Sequence, residues 1–268
     1  MLLLLEAAVL GVVQGLTEFL PVSSSAHLIL ARAFFGWDAD QFGLPFDVAC
    51  HVGTLLSILV YFRTDLLAML AAVPRLFAAR DDRAVRLVWS IGVGTIPVVI
   101  VGGLFGDAVD AVRSPAVIVA TLAIVGILML VAERTGTHQR REEELSLAQA
   151  LIIGAAQACA LIPGVSRSGS TITTGLFLGL KRDAAARFSF LLGVPAMIAA
   201  ATHEGLKLRH QPMDALTAQV FLVGVVVSGF VGYLTVRFFV RFLAAHTLDS
   251  FAVYRLALAA ITVIWLVA

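Results

Sequence analysis

Residues 147–180 read LAQALIIGAAQACALIPGVSRSGSTITTGLFLGL, an apolar segment that is interrupted by a polar stretch. The polar stretch runs from Pro163 to Thr171 and contains serines, glycines and one arginine. Backbone that leaves a helix cannot face lipid, because its N–H and C=O groups would find no hydrogen-bond partners there. We therefore predict a helix that is broken inside the membrane and enclosed by protein, with the polar stretch lining a cavity.

A second segment of the same kind covers residues 2–35. Its first helix is predicted to stop at Pro21, and serines follow at Ser23, Ser24 and Ser25. In both segments a Gly-x-x-Gln stretch precedes the break, and three long apolar runs follow it. Because three spans per half is an odd number, the two halves would have opposite orientations, as in inverted-repeat membrane proteins.

Composition and hydropathy place the rest of the chain in the membrane as well. Of the 268 residues, 60% belong to the set AVILMFWYC and only 14% are charged. Soluble domains are about half apolar and about a quarter charged, so the composition excludes a soluble enzyme and a disordered chain. Six apolar runs are long enough, or nearly so, to span a bilayer: roughly 47–62, 87–106, 115–133, 188–203, 215–236 and 251–268.

These runs predict an all-α polytopic membrane protein with six transmembrane helices plus two re-entrant broken-helix segments. Residues 1–268 would form a single integral-membrane domain, whose repeat halves cover about 1–135 and about 144–268. The formal net charge of +1 gives no reason to expect a nucleic-acid partner. Two distant cysteines make no disulfide framework.

The distribution of basic residues orients the predicted spans. Thirteen of the 19 Lys and Arg residues lie on one set of connections: Arg63, Arg75, Arg80, Arg83, Arg86, Arg134, Arg140, Arg141, Lys181, Arg182, Arg187, Arg237 and Arg241. The opposite connections carry Arg113, Lys207 and Arg209. The positive-inside bias makes the rich side cytoplasmic, so both chain ends are predicted to lie outside.

The first break contains polar residues that require a partner or water. Glu18 lies in an apolar stretch, and a charged side chain at the bilayer centre costs about 2.5–3.5 kcal/mol on an insertion scale. Gln14 precedes it by one helical turn and shares its face, while Ser24 and His27 follow the break with helical spacing. A purely structural interpretation stays open for each of them, as an interhelical hydrogen bond or a helix cap.

The second break has the composition of an anion site. Arg167 lies between two glycines, Ser166 is predicted to cap a new helix, and Thr171 follows Arg167 by one turn. A helix N-terminus beside an arginine and hydroxyls favours anions, and the planar guanidinium binds phosphate in a bidentate manner. The alternative is that Arg167 only pairs with a membrane acid such as Glu18.

We predict that the two breaks converge on one anion. Two helix N-termini, each equivalent to about half a positive charge, would join Arg167 in facing a diphosphate of about −3. A divalent metal, Mg²⁺ or Ca²⁺, would nearly complete the neutralisation, with Glu18 as its ligand and Gln14 as a further candidate ligand.

Both motifs resemble those of one family. Gln14-Gly-Leu-Thr-Glu18 with the adjoining Ser24 and His27 looks like the (E/Q)xxxE motif and Ser/His region of the undecaprenyl-diphosphate phosphatase family, the bacitracin-resistance proteins. Pro163-Gly-Val-Ser166-Arg167-Ser168-Gly-Ser-Thr171 is similar to that family's PGxSRSxxT motif. With the length and span pattern, the resemblance covers essentially the whole chain. It implies catalytic roles for Glu18, Ser24, His27 and Arg167, and phosphate binding by Ser166, Arg167, Ser168 and Thr171.

The resemblance also implies an activity and a location. The expected enzyme removes the terminal phosphate of undecaprenyl diphosphate at the outer side of the cytoplasmic (inner) membrane of a bacterium. It would recycle the lipid carrier for cell-wall synthesis and confer bacitracin resistance, with a divalent metal as cofactor. Its partners would be the polyprenyl diphosphate lipid and the bilayer, and a homodimer is left open.

Several alternatives stay open from the sequence. Many family members carry Glu where this chain has Gln14, so a metal site that needs two carboxylates is in doubt. Ser24 and His27 are both candidates for the nucleophile. The same features would also suit a transporter or flippase of a phosphorylated polyprenyl lipid. An intramembrane serine hydrolase is a weaker alternative, because the chain lacks a GxSxG elbow.

Overall fold

The structure is a computed structural model that describes residues 1–37, 42–79, 82–111, 114–208 and 214–267, without the side chains of 107–111 and 208. Arg80, Arg113 and Arg209, which enter the predicted charge distribution, lie outside the described residues.

Six helices are long and apolar enough to cross a membrane, as the sequence predicted. They are α3 (Leu44–Tyr61), α5 (Arg83–Ala111), α6 (Pro115–Thr135), α9 (Arg182–Leu208), α10 (Ala215–Leu243) and α11 (Asp249–Val267). A further helix, α4 (Arg63–Ala72), and 3₁₀ turns at Val73–Arg75 and Glu142–Glu144 lie in the connections. Within the described part of the chain no strand occurs, so the predicted all-α multi-pass fold is confirmed.

Both predicted broken segments are interrupted helices. The first consists of α1 (Leu2–Thr17) and α2 (Ser24–Phe35), and the second of α7 (Leu147–Cys159) and α8 (Arg167–Phe177). Helix α1 ends three residues earlier than Pro21 would require, with Glu18 as its C-cap. Proline restricts the residue before it and offers no N–H, so the chain has already left the helix when it reaches Pro21. The re-entrant course of these segments stays a prediction.

Helices from the two predicted halves interlock. Helix α10 packs against α1 and α3, α5 packs against α7, and α6 packs against α11. The α5–α7 contact is close enough that a Cβ on Gly154 would lie 2.1 Å from the carbonyl oxygen of Gly94. Small residues allow such an approach between membrane helices. The repeat itself stays a prediction, but the packing fixes both broken segments against helices of the other half.

An aromatic cluster anchors the first break. Phe19 is fully buried and packs edge-to-face on Phe190 of α9, with 5.4 Å between ring centroids. Phe62 and Phe239 contact the same ring of Phe190. Because Phe19 follows Glu18 directly, this packing fixes the backbone that carries the carboxylate.

The connections rich in Lys and Arg, called the basic side here, are joined to one another by ion pairs. Arg182 binds Glu133 at 2.7 Å, and Arg187 binds Asp65 at 2.8 Å and Glu142 at 3.1 Å. A cavity of about 490 Å³ also lies on this side, lined by residues that include Phe77, Trp89 and Leu145, and it shares no residue with the site described below.

Candidate active site

The two breaks meet at the carboxylate of Glu18. Ser24 donates its hydroxyl to Oε2 of Glu18 at 2.8 Å, and Nη2 of Arg167 donates to Oε1 at 2.8 Å. Ser24 is the first residue of α2 and Arg167 is the first residue of α8. Residues that are more than 140 positions apart in the chain therefore contact the same carboxylate.

Each of these helices starts from a serine in an uncommon conformation. Ser23 and Ser166, the two N-caps, have φ of 75° and 73°, in the left-handed region that non-glycine residues rarely adopt. Their hydroxyls accept from the N–H groups of Ala26 and Gly169, as helix caps do. The backbone turn at each cap directs the following residue, Ser24 or Arg167, toward Glu18.

Two further groups donate to Glu18. Nε2 of Gln14 lies 2.9 Å from Oε2, across one turn of α1. Nε2 of His51, on α3, lies 3.3 Å from the same oxygen. The carboxylate side chain is only 5% exposed and Gln14 is fully buried. A buried carboxylate of this kind needs charged partners and hydrogen bonds, and Arg167 supplies the guanidinium.

His51 is the site residue that the sequence interpretation missed. Its Nδ1 lies 2.7 Å from the carbonyl oxygen of Asp47, and its Nε2 faces Glu18. Both oxygens can only accept, so both contacts are hydrogen bonds when each ring nitrogen carries a proton. The side chain of His51 is 35% exposed, whereas that of Glu18 is 5% exposed, so His51 is the more accessible of the two. A histidine inside an apolar run was the available signal.

His27 does not contact this group. Its Nδ1 lies 2.7 Å from the carbonyl oxygen of Ser23, and its Nε2 lies 2.8 Å from the hydroxyl of Tyr254. The imidazole stacks on the Tyr254 ring, with centroids 5.7 Å apart. Ser24 and His27 therefore have different partners, although they share helical spacing. The catalytic role of His27 stays a prediction.

The remaining predicted phosphate ligands are engaged in hydrogen bonds within the protein. The hydroxyl of Ser168 donates to the carbonyl oxygen of Leu20 at 3.1 Å and so ties α8 to the first break. The hydroxyl of Thr171 contacts the carbonyl oxygen of Arg167 and the hydroxyl of Ser189, both at 2.6 Å. Their phosphate-binding roles stay predictions.

Arg167 fits its position because α9 has a glycine opposite it. A Cβ on Gly193 would lie 1.4 Å from Nη1 of Arg167, so only glycine leaves room for the guanidinium. Nη1 is buried and has no hydrogen-bond partner among the described residues. A buried donor without a partner is costly, and an anion bound here would satisfy it.

The same geometry tests whether a divalent metal fits. Oε1 of Gln14 is buried and unpartnered, so it could serve as one oxygen ligand. Both oxygens of Glu18 are already bound by donors, two of them from Arg167 and His51. Across the described ranges, no group of three or more His, Cys, Asp or Glu residues could hold a metal. The protein residues alone therefore do not fit a preformed metal site.

The arrangement has the parts of a phosphoryl-transfer site. A hydroxyl, that of Ser24, donates directly to a carboxylate that could accept its proton. A partly free guanidinium and the N-terminus of α8 lie beside it and can bind the phosphate oxygens.

Comparison with known proteins gives matches along almost the whole chain. The family described as Bacitracin resistance protein BacA matches residues 7–261. A protein of Rubrobacter xylanophilus named undecaprenyl-diphosphatase is 51% identical over 265 residues, which cover 97% of each chain. Relatives with the same name from Thermomicrobium roseum and Idiomarina loihiensis are 44% and 43% identical.

Proposed function

The chain belongs to the bacitracin resistance protein BacA family, and we infer that it is an undecaprenyl-diphosphatase. It hydrolyses the terminal phosphate from undecaprenyl diphosphate and releases undecaprenyl phosphate. This reaction returns the lipid carrier to cell-wall synthesis, and it confers resistance to bacitracin. The substrate is a polyprenyl diphosphate lipid and the enzyme is a multi-pass membrane protein.

The convergence of Ser24 and Arg167, one from each break, on the carboxylate of Glu18 carries the assignment of the active site. It joins the two breaks, because the acid is the C-cap of α1 and its partners Ser24 and Arg167 are the first residues of α2 and α8. An ion pair that is exposed to water would contribute little to stability. A buried pair in a membrane protein is costly to desolvate. The buried Nη1 of Arg167, which has no hydrogen-bond partner among the described residues, supports the proposal that this guanidinium binds an anion.

We assign the nucleophile to Ser24. Its hydroxyl already donates to Glu18, whereas the ring of His27 binds Tyr254. Glu18 takes the hydroxyl proton while the oxygen of Ser24 attacks the terminal phosphorus, and the bond from that phosphorus to the bridging oxygen breaks. Undecaprenyl phosphate leaves. Glu18 passes the proton it has taken to the departing undecaprenyl phosphate and is again a carboxylate. In the second step Glu18 takes a proton from water, whose oxygen attacks the phosphoserine phosphorus. The bond from that phosphorus to the serine oxygen breaks, Glu18 returns the proton to Ser24, and inorganic phosphate is released.

Arg167 has the electrostatic role in this sequence. Phosphoryl transfer depends mainly on positioning and on stabilising the charge that spreads over the phosphate oxygens. The Nη1 group of Arg167 and the N-terminus of α8 would donate to those oxygens, while Nη2 holds Glu18 in place. His51 and Gln14 hold the other carboxylate oxygen.

The proposal includes a divalent metal, although the protein residues alone form no metal site. Gln14 would hold such a metal through its unpartnered Oε1, and the metal would supply positive charge against the phosphate oxygens. Loss of phosphate release in chelator, restored by Mg²⁺ or Ca²⁺, would support it.

The site opens to the outer side of the cytoplasmic membrane in this proposal. The support is the excess of Lys and Arg on the opposite connections. A homodimer also stays a proposal, which a mass measurement in detergent would test.

Phosphate release by the purified protein tests the function. Wild-type protein in detergent should release inorganic phosphate from undecaprenyl diphosphate, and Ser24→Ala should lose almost all of that activity. Ser25→Ala is the matched control, because the hydroxyl of Ser25 contacts only that of Ser23 among the described residues. Arg167→Lys should also lose turnover by about 10²–10³-fold, because an ammonium cannot bind Glu18 and phosphate with a planar fork.

Two outcomes would contradict the proposal. Transport of the lipid between vesicles without cleavage would favour the transporter alternative. Full activity of Ser24→Ala with loss in His27→Ala would move the nucleophile to His27.

A further inference from the structure

The largest fully buried side chain of the described residues belongs to Arg255, in the membrane-spanning helix α11. The position of Arg255 was not singled out by either motif. All its hydrogen bonds go to backbone carbonyl oxygens, and within the described part of the chain it forms no ion pair with a carboxylate. The acceptors are the carbonyl oxygens of Pro21, Thr121, Leu122, Gly164 and Val165.

These acceptors belong to both breaks. Nη1 of Arg255 donates to Pro21 at 3.1 Å in the first break, and Nη2 donates to Gly164 at 2.8 Å in the second. Helix α6 makes a complementary contact, since the hydroxyl of Thr121 donates to the carbonyl oxygen of Pro163 at 2.8 Å. One guanidinium thus links the two non-helical stretches that precede Ser24 and Arg167.

The charge of Arg255 is placed behind the substrate site. A Cβ on Gly169, in the first turn of α8, would lie 3.4 Å from Nη1 of Arg255. An arginine that is fully buried without an acid is costly in a membrane helix, and carbonyl dipoles compensate only part of its charge. A bound diphosphate would supply the missing negative charge.

We propose that Arg255 is a positioning residue of the phosphatase, which holds the two breaks in register and adds a fixed positive charge behind the N-terminus of α8. Thr121 supports it by holding the second break from α6. The proposal rests on the proposed function, because the groups that it aligns are Ser24 with Glu18 and Arg167. Arg255 itself is fully buried and does not touch the substrate.

Two substitutions distinguish the effect of the positive charge of Arg255 from the effect of its hydrogen bonds to both breaks. Arg255→Lys keeps the charge but cannot reach carbonyl oxygens on both breaks, so kcat should fall by about 10- to 100-fold with KM changed by less than about twofold. Arg255→Gln loses the charge as well, so kcat should fall further and KM should rise. Arg182→Lys, at an ion pair on the basic side, is the matched control and should keep wild-type kinetics.

Folding is controlled by measuring monodispersity and the thermal midpoint of each variant in detergent. A purely structural role would lower the yield of folded protein and leave kcat per folded molecule and KM unchanged, and that result would overturn the proposal. If neither Arg255 variant folds, Thr121→Val decides. It should lower kcat about threefold without changing KM, and Thr121→Ser, which keeps the hydroxyl, should restore it. Equal kcat for both Thr121 variants would then overturn the proposal.

Different results would contradict the proposed function and the positioning role of Arg255. If wild-type protein releases no phosphate, the function is wrong. If wild-type is active, Ser24→Ala is inactive and folded Arg255 variants have wild-type kcat, only the positioning role is wrong.

Discussion

Glu18 brings together four side chains that come from different parts of the chain. Gln14, Ser24, His51 and Arg167 each donate to one of its two oxygens. In a buried environment each of these hydrogen bonds to a charged group is worth about 1.5–3 kcal/mol, and an unmatched partner costs a similar amount. Removing one of these donors should therefore disturb the position of the carboxylate and lower the activity.

His51 offers a test of how the carboxylate is oriented. His51→Leu removes the donor to Glu18 and should lower kcat about tenfold, which corresponds to one hydrogen bond of about 1.4 kcal/mol. His51→Gln can still donate an N–H, so its loss should be smaller. Steady-state phosphate release measures both, with the exposed His203 of α9 changed to Leu as control. Equal kcat for the Leu variant and wild-type protein would remove His51 from the site.

Gln14 offers a test of the metal. In Gln14→Glu a carboxylate replaces the amide that donates to Glu18, and two carboxylates at about 3 Å need a proton or a cation between them. We expect the variant to be active with divalent metal and to lose at least about tenfold more activity in chelator than wild-type protein. Titration of Mg²⁺ and Ca²⁺ measures this.

The Gln14→Glu variant is compared with a substitution at Glu18, in the same motif. Glu18→Gln removes the negative charge and the base that takes the Ser24 proton, so it should be inactive at every metal concentration. If Gln14→Glu is as active in chelator as wild-type protein, no cation is needed between these two residues.

At the scale of the elements, α9 decides whether the arginine of α8 can reach the carboxylate at the end of α1. Gly193 faces Arg167 without a side chain, and Phe190, one turn earlier, packs on Phe19. The same helix therefore fixes the backbone next to Glu18 and leaves space for its cationic partner. Because the packed interior has few voids, adding one methyl group to α9 shifts the side chains next to it.

Gly193→Ala should displace the guanidinium. The added Cβ would lie 1.4 Å from Nη1 of Arg167, so the guanidinium must move away from Gly193, which disturbs its contact with Glu18. A displacement of about 1 Å can lower turnover about 10²-fold, and we expect a loss of that size with the protein still inserted. Gly205→Ala is the control in the same helix, because its Cβ meets nothing within 4 Å. Normal kcat in Gly193→Ala would show that Arg167 does not need this position.

At the scale of the whole molecule, the side on which the proposed site opens is predicted from the distribution of basic residues. From the positive-inside bias we expect the connection between α4 and α5, and the one between α6 and α7, to lie in the cytoplasm. The same orientation places the N-terminus of α10 outside. The position of the site's opening relative to the cell therefore depends on this orientation.

Cysteine labelling tests the orientation. Single cysteines are introduced at the exposed positions Ala78, Gln139 and Ala215. The starting protein carries Cys50→Ala and Cys159→Ala, so that it has no other thiol. On intact cells a membrane-impermeant thiol reagent should label only the cysteine at 215. All three should react after permeabilisation, which controls for accessibility. Labelling at 78 or 139 on intact cells would reverse the topology and the proposed outer opening.

The sequence by itself determined the spans and the breaks. Length and hydropathy are local properties, so the six long helices follow directly from the apolar runs. Proline and serine, which end and cap helices locally, predicted the interruptions and the cap at Ser166. A charged Glu18 inside an apolar stretch, and Arg167 at a predicted helix start, identified two members of the site for the same reason.

Only the tertiary structure decided which groups meet. The contacts of Glu18 with His51 and Arg167, and of Arg255 with both breaks, join residues from separate helices. Such contacts depend on how each helix is rotated and on how closely its neighbours approach, and local composition does not specify either. For that reason His27, with the right spacing, faces Tyr254, while His51 and Gly193, which no motif contains, shape the site.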